Sequence, residues 1–251
     1  MTTTAAADTR PRFWAVWAAL FAASTAGTVA WCGSMSAMPA MPMPGGWSMS
    51  MAWMRMPGQT WAGAAACFLG MWTLMMVAMM LPSLVPVLRR CAGRWAALAG
   101  AGYFLVWSAL GAALFPLGVG LALAEMRQPA LARAVPIAAG LIVVLAGALQ
   151  LTGWKARQLA CCRAAPGWPP RRAWAAWRYG VRLGLRCVRC CAGLTAILLV
   201  MGVMDLRAMA VVTAAVTVER LAPGGGRAAR ATGALAIALG VAVLVRAAGR
   251  V

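Results

Sequence analysis

Two groups of sulfur-bearing side chains dominate the chemistry open to this chain. Residues 34–59 hold eight of the 18 methionines, a density about seven-fold that of the other 225 residues. Six of the eight form Met-x-Met pairs: Met41/Met43, Met49/Met51 and Met54/Met56. Residues two apart point the same way on extended backbone, so each pair can offer two thioethers to one ion. Thioether is a soft, neutral ligand that suits Cu(I) and needs no deprotonation. The competing reading is an apolar loop lying in a membrane interface, anchored by Trp47 and Trp53, with methionine as a gap-filler. The second group is made of thiols. Cys161 and Cys162 come first, and Cys187-x-x-Cys190 follows with the spacing of a chelating pair and Cys191 directly after it. Thiolates favour electropositive surroundings, and Arg163, Arg182, Arg186 and Arg189 supply them. Here the competing reading is a set of buried, inert thiols.

Further methionines lie between the two groups. Met71, Met75 and Met79 are four apart, as are Met76 and Met80, so on a helix each series forms a stripe. Met201 and Met204 follow later. These stripes are either weak stepping sites for a soft ion or ordinary helix packing. Asp205, Arg207 and Glu219 interrupt or border an apolar stretch. Charges inside a membrane are costly and are functional candidates by default, whereas Glu219 alternatively marks the end of a span.

The elements that must position these groups are membrane helices. Hydrophobic residues make up 63% of the chain and charged residues 11%, against about 45–50% and about 25% in soluble domains. The expected fold is an all-α, polytopic helical bundle of about six spans. These are Phe13–Gly33, Trp61–Leu88, one within 95–124, one over 134–154, one within 191–218 and a short one over 231–245. Residues 34–59 cannot form a useful helix, because Pro39, Pro42, Pro44, Pro57 and three glycines interrupt them. The expected organisation is a cytoplasmic N-terminus (1–12) and one membrane domain (13–251). That domain carries the Met-rich external loop (34–59) and a basic, Cys-containing cytoplasmic loop (155–190). An N-in/C-in orientation places sixteen basic residues inside and six outside, with Arg207 within a span. The first span reads as a retained anchor, since its apolar stretch exceeds a signal core, and Trp31 before Cys32 disfavours lipoprotein processing.

The net charge of +19 lies between apolar segments, so anionic lipid head groups are the expected partners and not nucleic acid. With no histidine, the usual general base is missing. Gly224-Gly225-Gly226 lacks the Lys-Ser/Thr of a phosphate-binding loop. No enzymatic activity and no organic cofactor are expected.

Several segments then carry a resemblance. They are W-T-L-M-M-V-A-M-M-L-P-S-L-V-P (72–86), Q-L-T-G-W-K (150–155) leading to Cys162, G-V-R-L-G-L-R-C-V-R-C-C (180–191) and G-V-M-D-L-R-A-M (202–209), with Glu219-Arg220 after them. In this order they resemble a bacterial family described as predicted metal-binding integral membrane proteins, domain-of-unknown-function family 2182. The resemblance implies a multi-span bundle and a metal site. It points to Cys162, Cys187, Cys190 and Cys191, with Met204, Met209 and Glu219 matching its fifth-span pattern. Gln158 stands where that family usually has a cysteine, and Asp205 where Asn is usual. The resulting expectation is a bacterial inner-membrane protein that binds a soft metal ion, Cu(I) first among them, and transports it or hands it over. A metallochaperone or membrane protein would be its partner. The alternatives are an accessory scaffold subunit without transport and a thiol oxidoreductase using Cys187 and Cys190.

Overall fold

Hydrocarbon offers no partner for backbone N–H and C=O groups, so an apolar chain of this kind must satisfy them within helices. A computed structural model describes residues 9–37, 41–91, 93–164 and 172–249. Among them run α1 (Thr9–Ser36), β1 (Met41–Met43), β2 (Trp47–Met49), a 3-10 turn (Met51–Trp53), α2 (Trp61–Leu88), α3 (Gly93–Arg127), α4 (Pro129–Leu151), α5 (Gly153–Arg163), α6 (Ala173–Met201), α7 (Leu206–Leu221) and α8 (Gly225–Ala248). Six helices, α1 to α4, α6 and α8, are long and apolar enough to cross a membrane. The chain is an all-α, polytopic bundle.

Small residues set how closely the helices pack. Helices α4 and α8 run antiparallel, and a Cβ placed at Gly233 would sit 2.8 Å from the Gly147 carbonyl oxygen. Gly240 makes the same approach to Gly140 one step further along. Helices α3 and α6 run parallel, and a side chain at Gly180 would collide with the Ala99 carbonyl. The core centres on α2, whose Met71, Trp72, Met75, Met76, Met79, Met80 and Leu84 are all buried.

The Met-rich segment forms a two-stranded hairpin in the register Met41↔Met49 and Met43↔Trp47. Gly45 (φ 101°) and Gly46 (φ 73°) close it in a conformation that disfavours side chains. The Trp47 indole donates to the Ala132 carbonyl (2.8 Å), fixing the hairpin to the start of α4. Met38 lies outside the described residues, as do residues 1–8 of the expected N-terminal segment and 165–171 of the expected basic loop.

Three expectations need correction. The loop expected over 155–190 is helical through α5 and from Ala173 onward. Arg178, Arg182 and Arg189 lie on the exposed side of α6, while Leu183, Gly184 and Cys187 are buried on the other, so the basic residues line a helix face. The apolar stretch 191–218 is not one span. Gly202, at φ 123°, ends α6, and α7 folds back along the bundle. Glu219 therefore lies at the end rich in basic residues and not at the hairpin end. The same reversal gives the chain path an odd number of passes. Because α8 is antiparallel to α4, its last turn lies at the hairpin end, opposite the start of α1, so the described helices do not end on the side on which they begin, as an N-in/C-in path requires. Arg220, Arg227 and Arg230 thereby join the basic end.

Candidate metal centre

At the basic end, α5 and α6 bring four thiols together. Cys162 is buried on α5, and Cys187, Cys190 and Cys191 are buried on α6. Spacings of three and four place the α6 thiols on neighbouring positions of one helical face. Cys187 and Cys191 have their sulfurs 3.7 Å apart. Cys162 hydrogen-bonds to both Cys187 and Cys190. Those bonds, with burial adding to them, hold the Cys162 thiol protonated far above the ordinary thiol range. A fifth sulfur completes the group: Met80 Sδ on α2 lies 3.9 Å from Cys187 Sγ.

Polar side chains surround the sulfurs. The Tyr103 hydroxyl donates to Cys187 Sγ (2.9 Å). Arg220 Nη1 donates to Ser83 Oγ (2.7 Å) and to Cys187 Sγ (3.3 Å), and lies 3.5 Å from the Tyr103 hydroxyl oxygen. Arg220 is 6% exposed, and no carboxylate pairs with it among the described residues. The adjacent Glu219 faces another cation, with its Oε2 2.7 Å from Lys155 Nζ and both side chains 2% exposed. Gln150 Nε2 donates to Glu219 Oε1 (2.7 Å), and Lys155 Nζ donates to the Cys190 carbonyl (2.8 Å). Consecutive residues at the end of α7 thus brace both sides of the thiol cluster. Arg186 adds donations to the carbonyls of Cys161 and Ala164 at the end of α5.

This donor set suits a soft ion. Thiolate and thioether select Cu(I) and related ions. With metal–sulfur bonds of about 2.3 Å, two ligands on one ion lie roughly 3.7–4.0 Å apart, which is the spacing of the Cys187 pairs. As arranged, no three His, Cys, Asp or Glu side chains among the described residues form a ready-made metal site. The thiols hydrogen-bond to one another, so an ion entering here must displace protons from them.

At the hairpin end a pocket is lined by Met35, Met51, Met54, Met56, Met71 and Met204, with Cys67, Trp31 and Phe68. Of the three Met-x-Met pairs, only Met54/Met56 enters it whole. Met51 enters, whereas Met49 turns to a separate apolar groove that also takes the exposed Met201. Met41 and Met43 lie on β1 and line neither. Met75, Met76 and Met79 fill α2 between the pocket and Met80. Met209 is buried on α7 and takes no part in the sulfur contacts described above. The Asp205 carboxylate is exposed and caps α7 by accepting from the N–H groups of Arg207 and Ala208.

Sequence reasoning singled out Glu219 but missed the roles of Lys155, Arg220, Tyr103 and Ser83. Lys155 and Arg220 lie within motifs already in view, yet their partners come from α6, α7 and α2, and no local spacing announces such contacts.

The family model PpoB2, described as copper chaperone, matches residues 69–243. The chain belongs to the PpoB2 copper chaperone family. No curated protein and no solved structure matches it. The matched span contains the four thiols, Met80, Lys155, Glu219 and Arg220, whereas Cys32 and the hairpin methionines precede it. The resemblance noted above is thus supported as far as a copper-related family, and the match is not to family 2182 by name. In the part of this chain that matches the PpoB2 copper chaperone family, the cysteine cluster is the donor-rich centre.

Proposed function

We propose that this member of the copper chaperone family takes Cu(I) at the hairpin end and passes it through the membrane domain to the four-thiol cluster, from which a partner collects it. The observation that carries the reading is the placement of soft donors along α2. Met71 opens on the hairpin pocket, Met75, Met76 and Met79 follow at helical spacing, and Met80 touches Cys187. Turns of about 5.4 Å separate successive levels. Thioethers are weaker ligands than thiolates, as a path requires if the ion is to leave each step. Cu(I) moves by ligand exchange with no change of oxidation state.

The reading places the chain in a bacterial inner membrane, with the cysteine end cytoplasmic and in contact with anionic lipid. A metallochaperone or membrane protein receives the ion, and the chain catalyses no reaction of its own. A thiol oxidoreductase is disfavoured by access, since Cys187 is fully buried and Cys190 is 2% exposed.

Copper content of the purified protein, loaded under reducing conditions, tests this. The unaltered chain is expected to carry stoichiometric copper. Changing Cys162, Cys187, Cys190 and Cys191 to Ser should lower Cu(I) affinity at least about a thousandfold, or about 4 kcal/mol. Changing Met51, Met54 and Met56 to Leu, which nearly conserves volume, should slow Cu(I) uptake into vesicles about threefold and leave bound copper unchanged. Copper binding unaltered by the four serines ends the proposal, and vesicles that take up no Cu(I) leave a scaffold.

A further inference from the structure

We infer that Cys32 and Met204 form a second Cu(I) site, at the foot of the hairpin pocket, distinct from the thiol cluster. This rests on the proposed handling of Cu(I) and names where the ion first meets a thiolate. Cys32 Sγ lies 4.0 Å from Met204 Sδ, across 172 residues of sequence. With bonds of about 2.3 Å, that separation subtends roughly 120° at one ion, the trigonal angle. Cys32 is 2% exposed. Met35 lies one helical turn beyond it on α1, and both Met35 and Met204 line the pocket together with Met71. Met204 thus belongs to the methionine pocket and also touches the buried thiol.

The charge at this site differs from that of the thiol cluster. One thiolate with neutral thioethers around Cu(I) sums to zero. A neutral complex needs no counter-ion, and an uncompensated charge inside hydrocarbon is expensive. Accordingly, among the described residues no Lys or Arg donates to Cys32, whose thiol faces Met204. Two or more thiolates on Cu(I) make an anion, and at that cluster Arg220 donates to Cys187. When Cu(I) binds, the S–H bond of Cys32 breaks as the copper–sulfur bond forms, and the proton leaves to water through the pocket. The copper remains monovalent.

The test uses Ag(I), a redox-inert monovalent ion of the same ligand preference, with the full chain in detergent. In the variant with Cys162, Cys187, Cys190 and Cys191 changed to Ser, one Ag(I) per chain is expected to remain by native mass spectrometry, with a thiolate-to-metal absorption band. Adding Cys32→Ala should abolish the band and weaken binding more than about 100-fold, beyond the effect of losing a supporting side chain. Adding Met204→Leu should weaken binding about tenfold. Cys67→Ser, at the same pocket, should change neither. If Cys32→Ala does not fold by circular dichroism, Met204→Leu carries the test, because it nearly conserves volume and leaves α1 untouched. A band that survives Cys32→Ala, one removed by Cys67→Ser, or affinity unmoved by Met204→Leu overturns the assignment. So does a four-serine variant that binds no Ag(I). Failure of the proposed function looks different: the unaltered chain then binds no soft ion, or the four serines cost it nothing.

Discussion

The two ends of this bundle hold sulfur in opposite ways. At the hairpin end the donors are mostly thioethers on a short hairpin and its neighbours, and Met35, Met51, Met54 and Met56 are half-buried. At the basic end the donors are thiols, all four buried, and cationic side chains hydrogen-bond around them. The methionines of the first set offer ready access and no proton to displace. The second offers strong ligands that an ion reaches only through the protein. The copper chaperone match covers the second and begins after the hairpin. On the proposed reading, capture and retention are therefore separable, each with its own ligand chemistry.

The largest effect that bears on this contrast concerns the buried pair beside the thiols. Lys155→Met leaves Glu219 buried without its cation and should cost about 3–5 kcal/mol of stability, read as the unfolding midpoint in detergent. The double change Lys155→Met with Glu219→Leu should restore most of it, and an equal loss in both would show that the pair does not brace the cluster. Next, Arg220→Gln should weaken Cu(I) retention about 10–100-fold, as expected for a residue supporting a metal ligand. Its effect on hairpin-end Ag(I) binding in the four-serine background should be nil, and a comparable loss there would erase the distinction between the two ends. The smallest effect is that of pH. Hydrogen bonds to Cys187 and Cys190 raise Cys162, so its proton is retained until the metal displaces it. Protons thus compete with Cu(I), and affinity should fall by about tenfold for each unit of acidification if one proton is displaced. A titration against a Cu(I) chelator between mildly acid and mildly alkaline pH reads this directly. Capture by Met51, Met54 and Met56 has no corresponding dependence.

Much of the scaffold is legible in the sequence because hydropathy registers span length directly. Trp61–Leu88 is located to the residue, and the proline-broken hairpin segment is correctly denied a long helix. Two features mislead. Arginines at four-residue spacing in α6 look like a loop when only charge is counted, although their period is that of a helix face. Gly202 lies inside an apolar stretch, and hydropathy does not reveal a reversal of direction. The cysteine cluster is visible as a motif, but its polar surround is not. Arg220 reaches Ser83 across 137 positions and Cys187 across 33, contacts that depend on α7 doubling back. Cys32 drew notice only as a site of processing, and its partner Met204 lies in the linker created by the same break.

That reversal also bears on how the chain is built. Helix α7 has 16 residues, a length of about 24 Å against a hydrocarbon thickness of about 30 Å, and it ends in Glu219 and Arg220. Machinery that recognises spans by length and hydropathy has little reason to insert it alone. It must enter with α6 and α8, after α5 has delivered Lys155 and α2 has delivered Ser83 to receive its charges. Closure of those contacts then belongs to a late step of membrane assembly, and the four thiols acquire their polar surroundings only once α7 has docked.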